Sequence, residues 1–371
     1  MLTDQEVKLT AEEIERLITT SMGAKFFRIA EHPIIRIMYE AAREKAGGDP
    51  ITFLAAKRLV DVIKPGDVVF ISTGFMIANY MEGEIDGPLG AAALARALSL
   101  AFDATPILIT EEKLLPIVAE TCKAIGLHCY DLERARELPR RFAAMSFPVD
   151  SDRARKRAVE LIEGLRPTAI ISTERPGANP RGVHHSRLGL NLSPITAKID
   201  ILIEEARSRG VFTIGIGDGG NEIGMGVIRD TVLKYIPKAD RCNCPCGAGT
   251  AAATETDILI PAFVSDWGAY GIEACLALLL DRPELMHDGP TTERMLNACI
   301  MNGAISSPYG LSEAAVDGLP GKYNTYVVDI INFIVNSRMH ETKGAQRYRK
   351  SADAELERLT RIIEREAKLA E

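Results

Sequence analysis

Asp67-Val68-Val69-Phe70-Ile71-Ser72 is a short, almost continuously apolar run between the Pro65-Gly66 turn and Thr73-Gly74-Phe75. A strand wet on one face alternates apolar with polar residues. A run without alternation suits a strand buried on both faces. Comparable runs recur at residues 105–109, 127–130, 168–172, 211–216 and 257–260. Helix-length stretches separate most of them, each with a start signal. Pro88 suits the first turn of a helix over 89–102, Ser151 can cap 152–165, and Ser193-Pro194 can open 195–209. The alternation predicts an α/β fold: a mainly parallel, doubly wound sheet with helices on both faces.

Outward from this core the texture changes. Residues 1–65 read as a helical extension. Thr10-Ala11-Glu12-Glu13 has the form of a capping box, a second helix follows His32-Pro33, and a third covers about 52–64. Beyond the last strand, 270–280 and 293–302 look helical, and 303–322 is rich in Gly, Pro and Ser. Residues 353–369 carry periodic Leu and Ile among charges, as an amphipathic surface helix does. The expected organisation is a helical extension over 1–65, an α/β catalytic domain over 66–345 and a terminal helix over 350–371, with self-association as a homo-oligomer left open.

Composition narrows the function. The chain has 371 residues, 46% hydrophobic and 26% charged, with a formal charge of −7. That balance argues against a nucleic-acid partner, which needs basic surface, and no stretch is long and apolar enough to predict a membrane span. The opening residues lack the apolar segment of a secretory signal, and seven cysteines in so long a chain make no disulfide framework. The expectation is a reduced, cytoplasmic protein acting on a small molecule.

In open parallel sheets, ligands bind beyond the carboxyl ends of the strands. Four segments follow predicted strands: Thr73-Gly74-Phe75, Glu174-Arg175-Pro176-Gly177, Gly217-Asp218-Gly219-Gly220-Asn221-Glu222, and residues 261–267 with Trp267. Six glycines between Gly215 and Gly226 permit close backbone approach to a ligand. Asp218 and Glu222, four apart, suit a divalent cation such as Mn or Mg, or a substrate ammonium. The loop is not a dinucleotide fingerprint, because Gly215-x-Gly217-x-x-Gly220 starts inside the strand, so neither nicotinamide nor flavin is expected. Glu174 suits a general base or metal ligand, and Arg175 offers a fork for a carboxylate. The alternative is that the two simply pair with each other. Amides after Asp86-Gly87 could receive an anion, or Asp86 could cap its own helix. His184-His185 lies within reach of the same rim, although adjacent loop histidines are more often solvent-facing. Cys242-Asn243-Cys244-Pro245-Cys246 invites a metal reading, against which stand its one-residue spacing and the lack of a second pair.

Ser72-Thr73-Gly74-Phe75, Asp86-Gly87-Pro88-Leu89-Gly90, Glu174-Arg175-Pro176-Gly177, the Gly217–Gly226 loop and Trp267-Gly268-Ala269-Tyr270 occur in this order. The set resembles the C-terminal domain of the D-glutamate cyclase family, over roughly residues 67–317. The resemblance implies a hydro-lyase that dehydrates D-glutamate to 5-oxo-D-proline. It implies catalytic roles for Glu174, Asp218 and Glu222, with Asp218 and Glu222 holding the cation. Substrate contacts are expected at Thr73, Gly74, Asp86, Gly87, Arg175, His184, Gly217, Gly219, Gly220, Asn221 and Trp267. Two other readings stay open: another metal-assisted lyase or hydrolase acting on a small amino acid or lactam, and a non-catalytic sensor of a small ligand.

Overall fold

Seven strands form one sheet: β1 (Val68–Thr73), β2 (Thr105–Thr110), β3 (His128–Cys129), β4 (Arg141–Ser146), β5 (Ala169–Thr173), β6 (Phe212–Gly217) and β7 (Ile258–Pro261). The computed structural model describes residues 2–21, 34–306, 310 and 313–369. Every neighbouring pair is parallel, in the order β3-β4-β2-β1-β5-β6-β7. Alternate residues of β1 enter opposite layers. Val69 and Ile71 join one apolar cluster while Val68 and Phe70 join another. Both faces are therefore covered, which is why the strands carry no polar alternation.

The helices are α1 (Asp4–Ile18), α2 (Ile34–Lys45), α3 (Ile51–Val62), α4 (Pro88–Phe102), α5 (Leu115–Ala124), α6 (Leu132–Ala135), α7 (Ser151–Leu165), α8 (Ile199–Ser208), α9 (Arg229–Tyr235), α10 (Ser265–Leu280), α11 (Gly289–Met301) and α12 (Gly321–Leu369). The expected N-terminal helices share the larger cluster with the sheet, through Val7, Ile14 and Ile18 of α1 and Phe53 and Leu59 of α3. Glu15 ties three of them together. Its carboxylate accepts from the Tyr39 hydroxyl, from the Thr52 amide at 2.6 Å and from the Thr52 hydroxyl at 2.8 Å. Among the described residues no helix is long and apolar enough to cross a membrane.

Several boundaries correct the sequence reading. The capping box is made by Thr3 and Glu6, and Thr10 sits mid-helix with its hydroxyl on the Glu6 carbonyl at 2.9 Å. The box pattern recurs by chance wherever Thr and Glu share a helix. Asp150, not Ser151, caps α7. β4 was not anticipated, because it opens with Arg141, whose guanidinium is buried against the Asp103 carboxylate and carbonyl. α8 starts at Ile199, later than expected, because the preceding turn is drawn inward: the Ala197 amide donates to Glu111 at 2.8 Å. Residues 353–369 are continuous with the rest of α12 rather than a separate helix. His32 and Pro33 lie outside the described residues, as does part of 303–322.

The strand order places the crevice. β1 lies between β2 and β5, so the connections leaving β1 and β5 run to opposite sides of the sheet. This divergence opens a gap beyond their carboxyl ends.

Candidate active site at the carboxyl edge of the sheet

The loops after β5 and β6 are zipped together along their backbones. The Glu174 amide donates to the Ile216 carbonyl at 3.1 Å, the Ile223 amide to Arg175 at 2.9 Å, and the Gly177 amide to Asn221 at 2.9 Å. This contact demands glycine at 177, where a Cβ would stand 3.1 Å from the Ile223 amide nitrogen and 2.9 Å from Ala252 Cβ. The glycine-rich sequence thus lets two crossover loops touch, and their acids meet as a result.

Glu174 adopts a left-handed backbone, φ 44°, rare for a residue with a side chain. It is buried, and its Oε2 accepts from the Ser265 hydroxyl at 2.6 Å. Glu222 folds back on its own loop, where Gly219 and Gly220 amides donate to its two oxygens at 3.0 and 2.8 Å. One carboxylate oxygen from each of Glu174, Asp218 and Glu222 lies within 4.8 Å of the others. The same holds for Asp86, Asp218 and Asp317, so Asp218 belongs to both groups. Burial, then repulsion from Asp218 and Glu222, pushes the Glu174 carboxyl well above the usual carboxylate range. Burial followed by Asp218 pushes Glu222 up to about 7, against the opposing pull of Arg187. Burial works against the charge of Arg187, but Asp218, Asp317, Glu222 and Glu174 outweigh it and hold the guanidinium protonated.

Such a set of oxygens suits a hard divalent cation. Either acidic group of described residues could hold one.

A second element of the site is a clasp between two helix starts. Both oxygens of Asp86 accept amides at the start of α10, from Ser265 and Asp266 at 3.0 Å each. Asp266 returns the contact, accepting the Gly87 and Gly90 amides of α4 at 2.9 and 2.6 Å. Asp86 therefore caps the opposite helix rather than its own. The amides after Asp86, expected to receive a substrate anion, already hold Asp266. Gly87 is required here: its φ is 100°, and a Cβ would lie 2.6 Å from Thr73 Oγ1 and 2.8 Å from Glu174 Cβ.

Beside these carboxylates lies a cavity of about 230 Å³, smaller than the roughly 300–1,000 Å³ typical of drug-sized ligands. Glu84, Glu174, Asp218, Glu222 and Asp317 line it against the single guanidinium of Arg187, with an apolar wall that includes Phe75, Met76 and Leu190. Asn221 also lines it, and its buried Oδ1 has no hydrogen-bond partner among the described residues.

The structure thus brings Glu174, Asp218 and Glu222 together, as the sequence suggested. Of the residues expected to contact substrate, Asn221 alone lines the cavity. Gly217, Gly219 and Gly220 shape the loop that presents Asp218 and Glu222. Arg175 does not line the cavity, and it pairs with Glu111 rather than Glu174. It is fully buried, with bonds of 2.5 Å to each oxygen of Glu111 and others to the Gly74 and Ala197 carbonyls. A charge so buried must be paired, and its partner arrived from the loop after β2. Thr73 and Gly74 lie behind this pair. The ring of His184 is buried against Asp200 at 2.8 Å, and Trp267 lies inside α10, donating to Asn324 at 2.7 Å. Neither lines the cavity. His185, expected to face solvent, is also buried.

Sequence reasoning missed Arg187, Glu84 and Asp317, and gave Ser265 no role although it placed residues 261–267 on the rim. The only trace of Asp317 was the Asp317-Gly318 turn signal; Arg187 gave none beyond its proximity to the histidine pair.

Two comparisons with known proteins bear on the family. Residues 32–332 match the family model described as "D-glutamate cyclase-like, C-terminal". The chain is also similar to the human protein named "D-glutamate cyclase, mitochondrial", at 29% identity over 221 residues, 57% of this chain and 33% of that relative. The chain thus spans about a third of the length of this curated relative.

Proposed function

From the chain's place in the D-glutamate cyclase-like family, to which it belongs, we propose that it is a lyase that closes D-glutamate into 5-oxo-D-proline with loss of water. The supporting observation is the convergence of Glu174, Asp218 and Glu222 from separate crossover loops on one small cavity that also carries Arg187. The name of the human relative points the same way.

In this reaction the α-nitrogen attacks the carbon of the γ-carboxyl group, a C–N bond forms, and one of that carbon's C–O bonds breaks. The ammonium sheds two protons, and both leave with the departing oxygen as water. Glu174 is the proposed base: it takes a proton from the ammonium and returns it to the departing oxygen, held by the Ser265 hydroxyl throughout. Its elevated affinity for a proton suits both halves of that task. The unpartnered Asn221 Oδ1 is placed to accept from the ammonium. Arg187 is the available partner for the α-carboxylate. The apolar wall holds the methylenes and keeps competing water out. A divalent cation on Asp218 and Glu222 would supply Lewis acidity to the γ-carboxylate, otherwise a poor electrophile. Folding the substrate so that the amine meets the carbon of the γ-carboxyl group adds proximity.

The test is direct. Purified protein is incubated with D-glutamate or L-glutamate, with and without Mn or Mg, and 5-oxoproline is measured by chiral chromatography. Metal-stimulated turnover of the D-isomer, lost in Asp218→Asn, is expected. No conversion of D-glutamate under any of these conditions sinks the assignment.

A further inference from the structure

Cys242, Cys244 and Cys246 lie on a loop, residues 236–254, that contains neither helix nor strand. Irregular segments longer than about 12–15 residues are uncommon in compact domains and need some other restraint. The fold brings a distant residue to this loop. His185 Nε2 stands 3.1 Å from Cys244 Sγ and 3.6 Å from Cys246 Sγ. The three sulfurs are 3.5, 3.3 and 3.2 Å apart, and none is in a disulfide. All four donor atoms lie within 4.8 Å of one another.

We propose that Cys242, Cys244, Cys246 and His185 bind one structural zinc ion that pins a wall of the active-site cavity. Sulfurs on a tetrahedral zinc, at about 2.3 Å from the metal, stand roughly 3.8 Å apart. The observed spacings are slightly tighter and far from the ~2.05 Å of a disulfide. They suit one ion and are too close to surround a multi-iron cluster. Three thiols and an imidazole form a soft donor set that selects zinc over the hard cations suited to the acidic pocket. Four protein ligands complete the tetrahedron and leave no open position, as in structural sites.

Surrounding contacts orient the ligands. Asn179 Nδ2 donates to Cys246 Sγ at 3.4 Å and to the Gly249 carbonyl at 2.8 Å, fixing one end of the loop. Asn221, a residue of the cavity, donates to the His185 carbonyl at 2.9 Å. Lys238 Nζ holds the Leu188 carbonyl at 2.8 Å. The segment between these anchors contributes Ser186, Arg187 and Leu188 to the cavity. Zinc bound at His185 thus fixes the strand of loop that aims Arg187. Loading releases the thiol protons, because the ligands bind as thiolates.

The experiment reads metal content rather than turnover. Protein made in zinc-supplemented medium is passed through EDTA at neutral pH, desalted and assayed by plasma mass spectrometry. About one zinc per chain is expected, as is thiolate-to-cobalt charge-transfer absorption after cobalt exchange. The Cys244→Ser/Cys246→Ser double variant loses the zinc, whereas Asp218→Asn keeps it. Wild-type protein without zinc and without the cobalt–thiolate band overturns the proposal. So does a double variant that retains zinc as the wild type does. Should the double variant aggregate, the wild-type cobalt spectrum alone decides.

Discussion

The acidic pocket and the cysteine–histidine loop are two clusters of donor side chains, assembled from distant segments by opposite means. In the pocket, regular strands deliver Glu174, Asp218 and Glu222 to a common edge, and backbone hydrogen bonds hold them in place before any ligand arrives. In the loop no helix or strand carries Cys242, Cys244 and Cys246; the Thr250, Ala251, Ala252 and Ala253 amides anchor its far end on Lys238, Ala239, Gly220 and Ala178, and the proposed zinc ties the cysteine stretch between. The pocket gathers like charges: among the described residues, five carboxyl groups and one guanidinium line it. The loop gathers a closed set of soft donors. A scaffold-held set of carboxylates is fit for chemistry; a set of soft donors tied by one metal is fit for structure.

Three measurements sharpen or break that contrast. The largest effect is expected from Glu174→Gln, which keeps the shape and the Ser265 contact but removes the base. A fall of roughly 10²–10⁴-fold in kcat is predicted, with thermal unfolding no less cooperative than in wild type. A variant that unfolds instead of losing turnover would make Glu174 a structural residue like those of the cysteine loop. Next is Arg175→Met, which leaves Glu111 buried without its partner. A loss of about 3–5 kcal/mol in urea denaturation is expected, and any protein that remains folded should bind substrate normally. A selective rise in KM at unchanged stability would return Arg175 to the substrate. The smallest effect concerns Glu15, a carboxyl buried far from the pocket. Burial raises its pKa, against hydrogen bonds from Tyr39 and Thr52. Its contribution to stability is full below the unfolded value, about 4.3, and declines as pH rises through the folded value. Glu15→Gln should therefore gain stability relative to wild type from pH 4 towards neutrality, read as a converging or crossing pair of melting curves. Parallel curves would show that the bonds from Tyr39 and Thr52 cancel the cost of burial.

Legibility followed the same division. Six of the seven strands were readable because burial on both faces leaves a mark that needs no knowledge of neighbours. β4 escaped because the charge of Arg141 is neutralised by Asp103, a partner invisible along the chain. The acids of the Gly217–Glu222 loop were readable because glycine spacing and strand ends predict where a ligand sits. The Glu111 partner of Arg175 was not readable, because an arginine beside Glu174 looks identical whether it faces a cavity or a buried carboxylate. The cysteine triplet looked incomplete for want of a fourth ligand, and the histidine that supplies it lies in another loop.

The sequence by itself determined the alternation of strands and helices, the strand-end rim and the acids of the central loop that stand on it, because periodicity, glycine freedom and charge are local properties. Only the tertiary structure decided which buried charges face each other and which face the cavity: Arg175 to Glu111, Asp86 to α10, His185 to the cysteines, Arg187 to the pocket. Those pairings bring residues from distant loops within a few ångströms, and no local pattern encodes which of two compatible partners a side chain will meet.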